Sequence, residues 1–404
     1  MESGVATERT KRALVLAGAG ASLEFGAPST DNLTRAIETG VLADGWMQHT
    51  GADCAYLEIS KTLADYFQGG ASAVNFEHVY HCAHELLFTF EPTAGAVNEY
   101  RPILVPFIER KFTTEQSALQ ALVDRIPELI FAKTSEACNT PAASLVPIAA
   151  FLGKLRADYI TRIYTTNYDD FLLQAIPDLY TGFDAAPSAN PKSFDGVAFW
   201  RETDSDAVFH LHGSVHLAFG PPLPTDVDLG TLHWFDNRDA ALRNSSFRGS
   251  GERRMDGSQF MRTAAITGLD KLSRIQQQPL SHYYASLARD AMTADIIYVI
   301  GSGLGDLHLN TWLGEARRKN PKPPLVFVGW WPNSFLEDTA SKVEPLTMEM
   351  LHSLRMLVNQ YYGGVRYGSG WTLAKDRTCA IWDKGFLVFL GAAGELNHVL
   401  ARLV

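Results

Sequence analysis

Residues 12–22 constrain the fold more than any other stretch: Arg12 and an unbroken apolar run, Ala13 to Ala17, pass directly into Gly18-Ala19-Gly20-Ala21-Ser22. A run with no polar face cannot line a half-solvated sheet. It reads as a strand, Arg12 to Ala17, buried on both sides within a parallel sheet. After Pro28, any of Ser29, Thr30 and Asp31 can cap a helix start. A strand, a small-residue turn and a helix together let backbone N–H groups approach a phosphate. The same sequence also makes a tight turn without a ligand. The dinucleotide fingerprint G-x-G-x-x-G is not met, because Leu23 stands at its sixth position.

Four further apolar runs read as strands: Tyr159 to Thr165, Val208 to Leu211, Asp295 to Ile300, and Leu325 to Val328. Helical patterns separate them, including Phe76 to Phe88 and Leu119 to Ile130. Alternation of this kind predicts an α/β fold with an open, mostly parallel, Rossmann-like sheet. Residues 10–335 are expected to form that domain, with helical insertions at about 33–150 and 220–290. Residues 336–404 are expected to form an α/β C-terminal extension, with a helical stretch from Leu346 to Tyr361 and a hairpin-like pair around Asp383-Lys384-Gly385. The tryptophans of that region read as core, with an oligomer interface as the alternative. Ligands of open α/β sheets bind outside the carboxyl ends of the strands. Four of the five runs end in clusters of Gly, Asn, Asp, Ser or His, so those loops are expected to meet in one crevice.

Each cluster supplies a candidate beside a plainer reading. In Thr165-Thr166-Asn167-Tyr168-Asp169, the Asn167 carboxamide can hold a water and a sugar hydroxyl together, and Asp169 can accept from an amide. Both residues could equally cap a helix. In His210-Leu211-His212-Gly213, His212 ends its strand, so its ring can face the crevice and exchange a proton. It could also be a buried, satisfied ring. In Gly301-Ser302-Gly303-Leu304-Gly305-Asp306, the small residues permit close approach and Asp306 can cap the next helix. The segment from Glu77 to Glu85 is rich in metal-type ligands, but His78, His81 and His84 spread around a helix, and no metal site is assigned.

Composition removes several function classes. The 404 residues are 46% hydrophobic and 20% charged, which excludes a disordered or fibrous chain. A net charge of −10 argues against direct nucleic-acid binding, which depends on Lys and Arg facing phosphates. The basic stretch Arg238, Arg243, Arg248, Arg253, Arg254 and Arg262 is interrupted by acids and reads as a solvated helical face. No run of about 18 apolar residues occurs, and residues 1–12 lack an apolar signal region, so a cytoplasmic protein without a membrane span is expected. The four cysteines are scattered, which fits neither a disulfide framework nor a thiolate zinc site.

In their order along the chain, Gly-Ala-Gly-Ala-Ser, Gly26-Ala27-Pro28, Asn75-Phe76-Glu77, Thr-Thr-Asn-Tyr-Asp, Leu-His-Gly and Gly-Ser-Gly-Leu-Gly-Asp resemble the sirtuin superfamily. They look most like its bacterial branch of sirtuin-like NAD hydrolases used in anti-phage defence. Protein-deacylating sirtuins carry a four-cysteine zinc ribbon, and no such set is present here. The resemblance implies NAD as substrate, with no metal required. It places Gly18, Ala19, Gly20 and Ser22 at the pyrophosphate, and Gly301, Ser302 and Asp306 on the adenosine side. Thr166, where the family has Gln, would be among the NAD-binding residues, and Asp169 would hold the nicotinamide carboxamide. Asn167 would position water or the ribose, and His212 would act on a ribose hydroxyl or the attacking water. It further implies a triggered activity, a homo-oligomer and a possible HerA-like ATPase partner. The alternatives are a non-catalytic module that binds NAD or ADP-ribose, and a zinc-free deacylase.

Overall fold

A computed structural model describes residues 9–68, 74–87, 89–90, 112–183, 190–220, 232–247, 262–268, 271, 275–339, 345–358 and 363–403. Its strands in chain order are β1 Arg12–Ala17, β2 Ile160–Thr165, β3 Ala207–His210, β4 Leu217–Phe219, β5 Leu232–Trp234, β6 Ser246–Phe247, β7 Arg262–Thr263, β8 Ile296–Ile300, β9 Leu325–Val328, β10 Val365–Tyr367, β11 Trp371–Leu373 and β12 Cys379–Trp382. Eight of them form one sheet in the order β10-β11-β12-β9-β8-β1-β2-β3. The pairs from β12 to β3 are parallel, and only the β10–β11 and β11–β12 pairs are antiparallel. The fold is therefore α/β with a Rossmann-like, mostly parallel sheet, as the apolar runs predict.

The hydrophobic pattern explains why these strands are central. Ala13 to Ala17 are all buried, and every residue of β2, β3, β8 and β9 is buried as well. The runs read from sequence coincide with β1 and β9; β2 and β8 begin one residue later than expected, and β3 is shifted one residue toward the N-terminus at both ends. Tyr159 stays out of β2 because its N–H still bonds Leu155 O, the last turn of helix Val146–Asp158. The long helix Gln116–Asn139 packs on Thr30–Ala43, Ala52–Phe67 and Phe76–Leu87, forming a helical layer over one face.

One buried charge pair joins the sheet to the helix Leu280–Thr293. Arg162 in β2 bonds Asp290 at 2.9 Å and the Ser205 carbonyl at 3.0 Å, and lies over the Phe209 ring. Asp290 also accepts from Tyr164 and Arg289.

Three expectations for the chain's second half need correction. The helix expected from Leu346 to Tyr361 covers Pro345–His352; residues 353–358 leave the helix and 359–362 lie outside the described residues. The hairpin-like pair is not at Asp383-Lys384-Gly385. Strands β11 and β12 turn at residues 374–378, where Ala374 N donates to Cys379 O and Arg377 adopts φ +57°. Gly385, at φ +84°, instead precedes helix Phe386–Gly391, and Asp383 is fully buried, accepting from Phe335 N and Arg366. Asp-Lys-Gly has turn chemistry, but here it ends a strand and starts a helix. The basic stretch is not one helical face. Arg238 and Arg243 bound a six-residue helix, Arg262 lies in β7, and Arg238 bonds the buried Asp170; Arg248, Arg253 and Arg254 lie outside the described residues.

Strands β10 to β12 continue the main sheet through β12 and β9. A buried guanidinium fixes that junction. Arg317, fully buried, donates to the carbonyls of Pro323, Thr378, Leu354 and Arg355 at 2.6–3.2 Å. Among the described residues, no helix is long and apolar enough to cross a membrane. Replacing Arg317 with Met should cost about 3 kcal/mol or more, because buried carbonyls would lose a charged donor worth roughly 1–3 kcal/mol each. A lowered denaturant midpoint with unchanged slope is the expected reading.

Candidate functional site

The first wall of the site is built where the loops after β1 and β8 touch through their backbones. Gly18 N donates to Ile300 O at 2.9 Å, and Gly20 N to Gly301 O at 2.8 Å. A Cβ on Gly18 would lie 2.7 Å from Ser302 Cα, and one on Gly20 2.8 Å from Gly301 Cα. Gly301 itself has φ +61°, and a Cβ there would meet Ala21 N at 2.1 Å. These glycines are thus demanded by loop-on-loop packing, whatever binds beside them. The turn runs into a one-turn helix, Gly20–Leu23. The next helix, Thr30–Ala43, starts at Ser29, whose Oγ accepts from Asn32 N.

The loop after β2 forms the second wall. Thr166 N bonds Ala17 O at 3.0 Å, which ties the loop to β1. The Asn167 amide nitrogen donates to Gly18 O at 2.9 Å and to Ser22 Oγ at 2.8 Å. A backbone carbonyl can only accept, so the Asn167 NH₂ must face it. Both amide hydrogens are thereby committed, and Oδ1 remains the acceptor for a bound hydroxyl or water. His210 Nδ1 lies 3.1 Å from Asn167 O and braces the loop from β3.

The two adjacent carboxylates behave oppositely. Asp169 is 6% exposed, and burial raises its carboxyl to about 6, against the hydrogen bonds from Ser22 and Phe171 N. For Asp170 burial also opposes charge, but hydrogen bonding and charge from His216 and the Gln174 amide outweigh it and hold the acid down at about 2. Asp170 also takes Arg238 at 3.1 Å. Asp170 is therefore an anchor for the loop, and Asp169 is the strained member that faces the cleft.

His212 follows β3 and provides the third wall. Gly213 after it has φ +98°, and a Cβ there would sit 2.3 Å from Ala264 O. Ile266 N bonds His212 O at 2.8 Å. The His212 ring is 4% exposed, and its Nε2 has no hydrogen-bond partner. Asp306 Oδ2 lies 3.8 Å from that nitrogen, beyond hydrogen-bond length. Burial, then the charge of Lys271, push the imidazole down to about 3, overriding the pull of Asp306. The ring is neutral at physiological pH. Asp306 occupies the N-cap position of helix Leu307–Ala316 but makes no side-chain cap bond. It pairs with Lys271 Nζ at 3.0 Å, and Lys271 also approaches Glu77 at 3.7 Å.

These walls enclose a cleft of about 760 Å³, counted to its open mouth. Of the residues expected from sequence, Ala19, Ser22, Thr166, Asn167, Asp169, His212 and Asp306 line it together. Gly18, Gly20, Gly301 and Ser302 are not in the lining; they form the loop contact beside it, where Ser302 Oγ accepts from Leu304 N. Ala27, Pro28, Phe76 and Glu77, from motifs noted in the sequence, also contribute. Lys271 and Thr134 line the cleft without having been anticipated. A lone lysine and a helical threonine in insertions carry no sequence signal. Asp306 was expected as a cap or on the adenosine side, and here it stands beside His212. Within the helix carrying His78, His81 and His84, His78 Nδ1 accepts from Asn75 N, a capping role.

Residues 161–343 match the SIR2-like domain family. No curated protein matches the chain. Among solved structures, Sir2Tm bound to a propionylated peptide is 11% identical, with TM-score 0.41, covering 96% of this chain and 94% of its own. A structure addressing the mechanism and regulation of Sir2 enzymes is 14% identical, with TM-score 0.35, covering 85% and 93%. A Sir2 complex with the inhibitor EX-527, 2'-O-acetyl-ADP-ribose and a deacetylated p53 peptide is 12% identical, with TM-score 0.33, covering 79% and 81%.

The raised carboxyl of Asp169 predicts a stability cost at neutral pH. Folded Asp169 keeps its proton up to about 6, whereas the unfolded group loses it near the ordinary carboxyl value of 3.8. Between those values the folded state binds the extra proton, so this group's contribution to stability falls as pH rises. Asp169→Asn should therefore stabilise the fold at pH 7 by up to about 2–3 kcal/mol, from the pKa difference. Denaturation midpoints of the two proteins should converge near pH 4; a variant less stable than wild type at pH 7 would contradict the assignment.

Proposed function

We propose that this chain is an NAD hydrolase that cleaves NAD to nicotinamide and ADP-ribose, acting as a triggered effector of anti-phage defence by NAD depletion. One observation carries the reading. Asn167 and His212, on loops after different strands, line a single cleft at the carboxyl ends of a parallel sheet, together with Asp169 and Ser22. The SIR2-like match over residues 161–343 supports the same chemistry.

The proposed step needs orientation, a water and a base. The bond from ribose C1 to the nicotinamide nitrogen breaks, and its electron pair relieves the ring's positive charge. C1 gains oxocarbenium character, as in glycoside hydrolysis. Water adds to C1 and loses its proton. Asn167 Oδ1 would hold the water or a ribose hydroxyl, since its NH₂ is already committed. His212 Nε2, neutral and unpaired, would accept the proton, and the nearby Asp306 carboxylate would then stabilise the imidazolium. Asp169 would accept from the nicotinamide carboxamide, while the turn at Gly18 to Ser22 would lie along the pyrophosphate. No metal is required by this scheme. Assembly into a homo-oligomer, a HerA-like ATPase partner and a cytoplasmic setting belong to the proposal as well.

A second reading, a non-catalytic module that binds NAD or ADP-ribose, draws on the low basicity of His212, which makes it a weak base unless substrate raises it. Deacylation is disfavoured because the four cysteines are separate and free. Incubation with NAD, followed by chromatography of products, decides between the readings. Free nicotinamide and ADP-ribose are expected, with Asn167→Ala and His212→Ala each lowering turnover about 10²-fold or more, the scale of general-base contributions. Intact NAD recovered from the bound protein would favour the second reading, and undiminished turnover in both variants would overturn the assignment of residues.

A further inference from the structure

We propose that His212, Asp306 and His308 form a binding site for one divalent zinc-type ion, and that the bound ion switches off the hydrolase by occupying His212 Nε2. The inhibitory half rests on the function proposed above; the binding half does not.

The donor atoms are already assembled. One ligand atom from each of the three residues lies within 4.8 Å of the others. Two imidazoles and one carboxylate, with a further position open, are the donor set of many zinc sites. An ion with tetrahedral bonds of roughly 2.0–2.1 Å holds neighbouring donors about 3.3 Å apart. The 3.8 Å from His212 Nε2 to Asp306 Oδ2 is too long for a hydrogen bond but needs only a small closure to flank an ion.

The second observation is the unpaired nitrogen. His212 is 4% exposed, and its Nε2 has no hydrogen-bond partner. A buried nitrogen without a donor or acceptor is costly unless something fills the role. Tyr284 OH at 3.2 Å from His308 Nε2 can anchor that ring.

Lys271 is the adverse term, and the geometry limits it. Its ammonium holds Asp306 through Oδ1 at 3.0 Å, whereas Oδ2 is the oxygen turned to His212. Glu77, 3.7 Å away, offers the ammonium a second partner. The lysine charge therefore weakens the site without blocking the donor oxygen. An ion at Nε2 takes the lone pair that would receive the water proton, so occupancy and hydrolysis exclude one another.

The test uses the full chain stripped of metal. Zinc is titrated by calorimetry, with Co²⁺ absorption as a second probe, on wild type, His308→Ala and His308→Gln. One ion per chain is expected, with affinity at least tenfold lower in both variants. NAD turnover without metal should be retained in the His308 variants, while the zinc concentration for half-inhibition rises at least tenfold. Equal affinity in wild type and both variants, with circular dichroism unchanged, would place any zinc elsewhere and overturn the site. Binding that depends on His308 but leaves turnover untouched would overturn the switch. A chain that binds zinc through His308 yet never cleaves NAD would uphold the site and refute the hydrolase reading instead.

Discussion

The cleft depends on one backbone contact that no side chain permits. Gly18 and Gly20 press against Gly301 and Ser302 closely enough that a methyl group on either would meet main-chain carbon at 2.7–2.8 Å. That contact joins the ends of β1 and β8, neighbouring strands whose sequence positions are far apart. Asn167 then bonds the Gly18 carbonyl and fixes the end of β2 to the same point. Leu211 N on Thr165 O carries the fixation across to the end of β3. Four strand ends are thus locked together before any cleft-facing group is considered. The carboxamide, carboxylate and imidazole inherit their positions from this frame, which is what pre-organisation requires.

That rigidity allows the site to hold poorly solvated groups. Asp169 is charged at neutral pH against the preference of its surroundings, and His212 stays neutral because burial and Lys271 oppose its charge. Neither displacement from the usual acidity would persist in a loop free to turn its side chains to water, because burial is the first cause of each. Asp170, one residue on, shows the contrast: with His216, Gln174 and Arg238 around it, the carboxylate is held firmly ionised. Neighbouring acids with such different environments mark a site where stability has been given up locally.

Much of this was readable in the sequence. Apolar runs with no polar alternation located the buried parallel strands, since only strands covered on both faces can omit the period-two pattern. The same runs ended in small and polar residues, which located the cleft. What escaped was set by distance in space. Gly18 and Gly20 resembled a phosphate turn, but the partner that demands them is the loop at Gly301, nearly three hundred residues away. Asp306 read as a helix cap because it precedes a helix; its side chain turns instead to Lys271, which no local pattern singles out. Asp383-Lys384-Gly385 had turn chemistry, and the burial of Asp383 against Phe335 N and Arg366 decided otherwise.

The sheet's two ends explain how the C-terminal strands can be added without disturbing the cleft. The cleft draws on the ends of β1, β2, β3 and β8, whereas β10 to β12 attach beyond β9. At the β3 edge, Tyr180 bridges Ala207, with Val208 N bonding Tyr180 O, so this edge offers little free backbone. At the other edge β10 is three residues long and is held by Arg366, which reaches the buried Asp383. Short or covered edges resist uncontrolled strand pairing. Strand addition is therefore limited at both edges, and the glycine contacts that fix the cleft join strand ends other than those of β10 to β12.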